Sequence, residues 1–316
     1  MRKERLDKVL VDRGLAETRQ KAQALIMAGL VTGGGERLDK PGRLVQADLP
    51  LAVEKPLPYV GRGGLKLEEA LDAFGIDAAG RVCADIGSST GGFTDCLLKR
   101  GAARVYAVDV DVRQLDARLR ADARVIAVEK NARYLEPSDL GETPSLVVMD
   151  VSFISVLKVL PALKGVMAAA RAPIPAEGVA SSGPPSFAAL LGQPPPRLAR
   201  PAGRPPRNDI LLLSLIKPQF EAGRSQVGKK GLIRDPDVHR AVLAGVTRGA
   251  ADFGFRLRGI IACSTRGQKG NREFFALWSL AGDPPPPATA DGWIAAALEY
   301  GDTIPFSYLS PQQKGK

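Results

Sequence analysis

The first fifty residues carry apolar positions at helical spacing. Leu6, Val9 and Leu10 lie three and four positions apart, and a second apolar set follows Thr18, a residue suited to cap a helix. Two short apolar segments after the second helix indicate brief strands. The pattern therefore predicts a small α+β domain at residues 1–48.

The pattern changes to buried strands after a predicted linker at residues 49–58, which contains three prolines. Continuous apolar segments alternate there with helical stretches, which is typical of a parallel sheet covered on both faces. Five of these strands end in polar residues: Asp85, Asp109, Asn131, Asp150 and Lys217. The segments RLRGIIACST and REFFALWSL, joined by a tight basic loop, predict a terminal antiparallel pair. We therefore predict an α/β domain at residues 59–282, with a mostly parallel Rossmann-like sheet and a terminal hairpin.

Two segments lack the periodicity of a folded element. Residues 172–208 hold ten of the 25 prolines of the chain, which predicts a disordered insertion that buries little apolar surface. Residues 283–316 begin with four consecutive prolines at 284–287 and are predicted to be an accessory tail.

Composition narrows the class of protein and its compartment. A net charge of +10 indicates a polyanionic partner, either nucleic acid or an anionic membrane. The three cysteines, Cys83, Cys96 and Cys263, are not spaced as metal ligands, and His239 is the only histidine, so we expect no metal site. The odd number of cysteines also favours a reducing cytoplasm. The longest aliphatic segment is interrupted by Ser214, so we expect neither a signal peptide nor a membrane span.

The sequence RVCADIGSSTGGFTD, at residues 81–95, indicates a strand, a glycine-rich turn and a helix. Such turns lie at the carboxyl ends of strands, where open α/β sheets bind ligands. The spacing lacks the G-x-G of a pyrophosphate-binding turn, which favours a cofactor without phosphates, such as S-adenosylmethionine (SAM). Asp109, 24 positions beyond Asp85, is placed to bind ribose hydroxyls, and Asn131 to bind an adenine edge.

The amino-terminal segment RLDKVLVDRGLAETRQKAQALIMAGLV, with KPG after it, resembles the S4-type RNA-binding domain. The resemblance implies that the helix pair presents basic side chains to structured RNA. The matching positions are Arg5, Arg19 and Lys21. The expected partner is ribosomal RNA or a ribosomal subunit.

Six motifs of the larger domain resemble the TlyA family, relatives of the FtsJ-type ribose methyltransferases. They are YVGRGGLKL, DIGSSTGGFTD, VYAVDV, VVMDVSFIS, LIKPQFEAGR and GNREFF. The resemblance implies a class I SAM-dependent methyltransferase with a Lys-Asp-Lys-Glu tetrad formed by Lys66, Asp150, Lys217 and Glu273. It also implies a cofactor site formed by Asp85, Gly87, Ser88, Gly91, Gly92, Asp109 and Asn131.

The tetrad suits transfer of a methyl group to a ribose hydroxyl. A second cation nearby and partial burial both lower the pKa of a lysine, so that a larger fraction is neutral and available as a base at neutral pH. Lys217 is the expected base or hydroxyl-polarising group, and Lys66 supplies the second positive charge. Asp150 and Glu273 are expected to orient the lysines. We expect no aromatic side chain beside Lys66 or Asp150, which favours a ribose acceptor over a flipped base.

The expected activity is 2′-O-methylation in ribosomal RNA, with cytidine expected because TlyA relatives act there. Two other functions stay open: a haemolysin-like membrane-active protein, and a non-catalytic RNA-binding ribosome assembly factor. The lack of an amphipathic or spanning segment argues against the first. The complete tetrad argues against the second.

Overall fold

The chain forms two compact units, Met1–Pro58 and Tyr59–Lys316. This computed structural model describes residues 3–27, 29–54, 57–168, 210–223, 226–228, 231–267 and 270–300. The predicted insertion at residues 172–208 lies outside the described residues. Among the described residues, no helix combines the length and the apolar character needed to span a membrane.

The first unit contains two helices and five short strands. They are β1 (Lys3–Arg5), α1 (Leu6–Asp12), α2 (Arg19–Met27), β2 (Val31–Gly33), β3 (Glu36–Arg37), β4 (Leu44–Gln46) and β5 (Leu51–Val53). The two predicted helices are present, and Leu6, Leu10 and Ile26 are fully buried between the elements. The linker predicted at residues 49–58 differs from the structure, because β5 pairs antiparallel with β2 and belongs to this unit.

The second unit is built on a seven-stranded sheet. Its strands are β6 (Val82–Ile86), β7 (Arg104–Asp109), β8 (Val125–Glu129), β9 (Leu146–Met149), β10 (Leu211–Ile216), β11 (Arg256–Ala262) and β12 (Phe274–Ser279). Its helices are α3 (Gly63–Phe74), α4 (Gly92–Lys99), α5 (Ala117–Arg120), α6 (Leu160–Ala168), α7 (Pro218–Glu221), α8 (Pro236–Asp252) and α9 (Pro287–Tyr300). The spatial order of the strands is β11-β12-β10-β9-β6-β7-β8. Among the described strands, β12 pairs antiparallel with β10 and β11, and the other pairings are parallel, so the predicted fold is confirmed.

The strands β9, β10 and β12 are buried on both faces because nearly all of their residues are apolar. In β9, Val147 and Met149 pack on one side while Leu146 and Val148 pack on the other. Helices α3 and α4 contribute to the core on the side of Leu146, and α6, α8 and α9 contribute to the core on the opposite side. This double covering leaves the strand ends as the place where polar side chains meet.

The carboxyl-terminal segment differs from its prediction. Helix α9 buries Ile294, Ala297 and Leu298 in the main core. The Arg272 guanidinium donates to the carbonyl oxygens of Ala297 and Leu298 at 3.3 and 2.7 Å. The expectation of an accessory tail is therefore wrong for Pro287–Tyr300, because this helix is part of the packed domain. Residues 301–316 lie outside the described part of the chain.

Strand β12 brings a late segment of the chain to the functional edge. Because β12 is antiparallel, its first residue lies where the parallel strands end. Phe274 pairs with Ile216 of β10 and with Ala262 of β11. Lys217 and Glu273, which flank these paired residues, therefore lie on the same edge of the sheet.

Candidate active site

An ion pair joins the ends of β9 and β10. The Lys217 ammonium lies 2.5 Å from Asp150 Oδ1 and donates to Ser152 Oγ at 2.7 Å. Pro218 follows Lys217 and disfavours helical geometry there, and Lys217 has an extended backbone with φ −110° and ψ 100°. The lysine side chain is 11% exposed, so the ammonium is held at the strand end close to the protein surface.

A second ion pair joins α3 to β12. The Lys66 ammonium donates to Glu273 Oε2 at 2.5 Å, and the two side chains are only 10% and 3% exposed. The backbone of Gly267 lies close to this carboxylate, since a Cβ at that position would be 1.9 Å from Glu273 Oε1. Lys66 lies outside the apolar stripe of its helix, and its burial is explained by the paired carboxylate.

The four predicted tetrad residues share one neighbourhood. Cys263, at the end of β11, is buried, and burial raises the pKa of its thiol well above the ordinary value. The charges of Lys66, Glu273 and Asp150 all act on that thiol. Two ion pairs on adjacent strand ends thus place two ammonium groups and two carboxylates around a single patch of the sheet edge.

Two aromatic rings lie next to the Lys217–Asp150 pair. The Phe153 side chain is 89% exposed, and its backbone has a φ of +64°. Its ring centroid lies 5.1 Å from that of Phe220, which lies 6.0 Å from the Lys217 ammonium. The expectation of no aromatic beside Asp150 is therefore wrong. Each strand-end loop adds a phenylalanine three residues after its charged residue, and the short loops turn both rings back to the site.

The glycine-rich turn after β6 approaches its neighbours closely. Gly87 has a φ of +83°, and a Cβ there would lie 2.6 Å from the Asp150 carbonyl oxygen. Gly91 has a φ of +95° and caps α4, and a Cβ there would lie 2.3 Å from Leu119 Cδ1. Gly92 begins α4, where a Cβ would lie 3.1 Å from the Gly64 backbone nitrogen. Glycine is therefore needed at these three positions, because the turn packs directly against the Asp150 backbone, Leu119 and the start of α3.

A buried carboxylate lies under this turn. Asp85 is fully buried, and its Oδ2 accepts a hydrogen bond from Thr94 Oγ1 at 2.6 Å. Within the described residues, Asp85 Oδ1 and Ser88 Oγ are buried with no hydrogen-bond partner. Burial raises the pKa of Asp85 to about 7, and the charges of Asp150 and Asp109 add to that rise. Buried polar atoms without partners fit a ligand that carries an ammonium group, as the amino-acid part of SAM does.

Asp109 and Asn131 lie at the ends of the next two strands. Asp109 accepts from the backbone N–H groups of Ser89 at 2.9 Å and of Asp111 at 3.1 Å, so it stabilises the glycine-rich turn. Asn131 is exposed, and its Oδ1 accepts from the Arg133 N–H at 3.1 Å to cap a short helix at Ala132–Tyr134. The structure thus places both residues at the predicted edge and gives each a local contact.

In the first unit, a buried aspartate gathers two of the three predicted RNA-binding residues. Asp7 accepts from Arg5 at 3.1 and 3.0 Å, from Arg19 at 2.9 Å and from Gln23 at 2.9 Å. The Arg5 guanidinium holds the pKa of this carboxyl well below its usual range. Both arginines stay about half exposed and are held side by side.

Lys21 is placed differently from the two arginines. It forms an ion pair with Glu17 one helical turn earlier, and its side chain is 60% exposed. The structure therefore does not bring Lys21 into the Asp7 cluster, although it lies on the same helix as Arg19.

Several residues of the site had no role in the sequence-based prediction. Ser152, Thr94 and Phe220 contact predicted members, and Phe153 contacts Phe220. Phe153 belongs to the Asp-Val-Ser-Phe turn and Phe220 follows Lys-Pro-Gln, so an aromatic at the same offset in two strand-end loops was the available signal.

Comparison with known families assigns a domain family to each unit of the chain. The FtsJ-like methyltransferase model matches residues 59–279, and the S4 domain model matches residues 4–49. YqxC of Bacillus subtilis, whose assignment as an rRNA methyltransferase is provisional, is 44% identical over 276 residues, which are 86% of this chain and 84% of that protein. The 16S/23S rRNA (cytidine-2′-O)-methyltransferase TlyA of Mycobacterium tuberculosis is 40% identical over 280 residues, covering 88% of this chain and 90% of TlyA.

A solved structure agrees over most of the chain. A Streptococcus thermophilus protein provisionally named a hemolysin has a TM-score of 0.62 and 38% identity, and the match covers 95% of this chain and 97% of that one. The family models match both units, and the relatives match the greater part of the chain. The chain therefore belongs to the TlyA family of S-adenosylmethionine-dependent, FtsJ-like methyltransferases that carry an S4 domain.

Proposed function

We propose that this enzyme transfers the methyl group of SAM to the 2′-hydroxyl of a cytidine in ribosomal RNA. The observation that carries the proposal is the Lys217 ammonium, held 2.5 Å from Asp150 and 2.7 Å from Ser152 at the strand edge. The M. tuberculosis relative is named for the same reaction on 16S and 23S rRNA. We infer that the partner is ribosomal RNA or a ribosomal subunit.

Lys217 is the group proposed to act on the acceptor hydroxyl. The Lys217 ammonium donates to Ser152 and is ion-paired with Asp150, and its remaining N–H donors are proposed to serve the ribose oxygen. SAM supplies the electrophilic methyl group. Polarisation of the hydroxyl, or removal of its proton, makes the oxygen a better nucleophile as the new bond forms.

Lys66 and Glu273 are proposed to tune this centre. Lys66 supplies the second positive charge of the site. Glu273 keeps Lys66 in place and balances its charge inside the protein. Asp150 fills the matching role for Lys217.

Phe153 is proposed to receive the base of the target nucleotide. Exposed aromatic rings stack bases regardless of sequence, and this ring lies on the same loop as Asp150 and Ser152. A positive φ in a bulky residue costs on the order of 1–2 kcal/mol, which fits a functional position. Stacking there would place the attached ribose beside Lys217.

The cofactor is proposed to bind along the carboxyl edge of β6, β7 and β8. Asp85 and Ser88 offer buried polar atoms to the amino-acid part, and the turn residues Gly87, Gly91 and Gly92 give the backbone room. We assign the ribose to Asp109 and the adenine to Asn131, as the family pattern implies.

The S4 domain is proposed to clamp the RNA. Arg5 and Arg19 share Asp7, and this pairing fixes their guanidinium planes while leaving donors exposed to phosphates. Lys21 adds an exposed charge on α2.

The cysteines Cys83, Cys96 and Cys263 are free and buried, in agreement with a reducing cytoplasm.

A single-atom substitution in the RNA tests the acceptor. The target position is first mapped with tritiated SAM on ribosomal RNA, and a fragment is then made with a 2′-deoxy nucleotide at that position. We expect the deoxy fragment to bind with nearly unchanged affinity and to accept no methyl group, because the nucleophile is missing.

The matched control carries the 2′-deoxy substitution at the neighbouring nucleotide and should be methylated at close to the normal rate. Methylation of the target-deoxy fragment at the normal rate would identify the base as the acceptor. The roles given to Lys217 and its three partners would then be withdrawn.

SAM affinity is expected to depend on pH through Asp85. Burial raises the pKa of this acid to about 7, so the folded protein holds it uncharged below that pH and ionised above it. Because an ammonium group binds the ionised form, SAM affinity should rise about tenfold between roughly pH 6 and pH 8. Calorimetric titration across this range measures the slope, and Asp85→Asn should give weak binding with a flat profile.

A further inference from the structure

Two glutamates outside the tetrad lie beside its ion pairs. Glu69 is on α3, three residues after Lys66, and Glu221 ends α7, four residues after Lys217. Both are half-buried, and each accepts hydrogen bonds from a serine hydroxyl and a backbone N–H of a distant segment. In both cases that distant segment also carries the carboxylate partner of the neighbouring lysine.

Glu69 connects α3 to the loop after β11. Its Oε2 accepts from Ser264 Oγ at 2.7 Å, and the Ser264 N–H lies 3.1 and 3.0 Å from its two oxygens. The preceding residue, Cys263, donates its N–H to the Glu273 carbonyl oxygen at 2.9 Å. Glu69 therefore fixes the distance between the helix that carries Lys66 and the hairpin that carries Glu273.

Glu221 connects α7 to the loop after β9. Its Oε2 accepts from Ser155 Oγ at 2.6 Å, and its Oε1 accepts from the Val156 N–H at 2.8 Å. The loop held in this way carries Asp150, Ser152 and Phe153. Glu221 therefore fixes the Asp150 loop against the segment that carries Lys217 and Phe220.

A lysine ion pair alone does not fix two segments accurately. The ammonium is a compact charge on a flexible chain, so it tolerates several positions of its partner. A carboxylate that accepts hydrogen bonds from a serine hydroxyl and a backbone N–H of the same short segment fixes both the distance and the orientation of that segment. Methyl transfer needs the reacting atoms in line, and a displacement of about 1 Å can cost about 100-fold in rate.

We propose that Glu69 and Glu221 are positioning residues for methyl transfer, each locking together the two segments that one ion pair of the tetrad joins. This proposal rests on the proposed function and deepens it, because it assigns the alignment of the acceptor site to residues that touch neither RNA nor SAM. Burial raises the pKa of both carboxyls, and the hydrogen bonds from Ser264 and Ser155 oppose that rise.

The test compares Glu69→Ala and Glu221→Ala with Glu69→Gln and Glu221→Gln. The measured quantities are the single-turnover methyl-transfer rate at saturating SAM and RNA, the Kd for SAM and the Tm. We expect the alanine variants to lose about 10- to 100-fold in rate with SAM Kd within about twofold of wild type. The glutamine variants should recover most of the rate, because an amide oxygen still accepts the backbone N–H.

Glu68→Ala is the matched control on the same helix. Glu68 pairs with Arg100 at 3.2 Å, so the variant loses a half-buried ion pair without loosening the hairpin. Its rate should stay within about twofold of wild type even when its Tm falls. If an alanine variant fails to fold, Ser264→Ala removes the hydroxyl hydrogen bond to Glu69, and Ser155→Ala removes the one to Glu221 together with the one accepted from the Leu157 N–H. Both should lower the rate in the same direction.

The proposal is overturned if the alanine variants keep wild-type rates, or if Glu68→Ala loses as much rate as Glu69→Ala. It is also overturned if the methyl-transfer rates of all the variants simply follow their Tm values. It is also overturned if the loss appears in SAM affinity instead of rate. The proposed function is tested with wild-type enzyme on the deoxy fragment, and the positioning role with variant enzyme on the intact fragment. The two failures are therefore seen in different samples.

Discussion

Replacement of Lys217 by alanine is expected to lower methyl transfer by about 100- to 10,000-fold, the range found for loss of a positioned acid–base group. SAM affinity should stay within about twofold, because the Lys217 ammonium contacts Asp150 and Ser152 and not the glycine-rich turn. A methylation assay and a calorimetric SAM titration on the same preparation separate the two effects.

Lys164→Ala serves as the control for that variant. Lys164 is an exposed lysine on α6, away from the strand edge that holds the tetrad, so its loss changes net charge equally. An active Lys217→Ala enzyme would remove the basis for the tetrad assignment. An inactive enzyme that had also lost SAM binding would move Lys217 from the acceptor to the cofactor site.

Replacement of Gly87 by alanine is expected to abolish activity through loss of cofactor binding, because it should lower SAM affinity by about 100-fold or more. The new Cβ would lie 2.6 Å from the Asp150 carbonyl oxygen, which is backbone and cannot rotate away. The turn must therefore shift, and the buried atoms of Asp85 and Ser88 move with it. Calorimetric SAM titration measures the loss directly.

Gly80→Ala provides a control with the same backbone strain and no steric conflict. Gly80 has a φ of +70°, close to the +83° of Gly87, and no other atom lies within 4 Å of a Cβ at that position. Both variants should lose about 1–2 kcal/mol of stability from the left-handed backbone. Only Gly87→Ala should lose SAM binding, and equal SAM affinity in the two variants would contradict the role assigned to the turn.

The strand-end residues of the site were predictable because sheet geometry is simple. Once the apolar segments were assigned to parallel strands, Asp85, Asp109, Asp150 and Lys217 had to meet at one edge. Glu273 was assigned to the site through the resemblance to the FtsJ-type tetrad, and the antiparallel pairing of β12 explains how it reaches the same edge. Local pattern and one rule of topology were sufficient for the other four residues.

The contacts that align the site were not predictable from local pattern. Glu69 meets Ser264 across 195 residues, and Glu221 meets Ser155 across 66. A glutamate on a helix is ordinarily an exposed charge, and nothing near it in the sequence indicates such a partner. The positive φ of Phe153 is likewise imposed by the folded loop, since a phenylalanine gives no local signal for it.

Helix α9 was missed for a different reason. Four prolines before it indicated an irregular tail, but proline is well tolerated in the first turn of a helix, and Pro287 is the first residue of α9. Ile294, Ala297 and Leu298 follow at the i, i+3, i+4 spacing of a buried face. Periodicity should have outweighed proline content at this position.

The position of β12 between β10 and β11 also sets the order in which the enzyme becomes active during its own synthesis. Lys66 leaves the ribosome 207 residues ahead of Glu273, a delay of roughly 10 to 40 seconds at typical rates of translation. Strand β12 must then insert between β10 and β11, which already exist. The S4 domain and the glycine-rich turn of a nascent chain are therefore already synthesised while its tetrad is still incomplete. A newly made molecule acquires the capacity to modify RNA only after Glu273 has been synthesised.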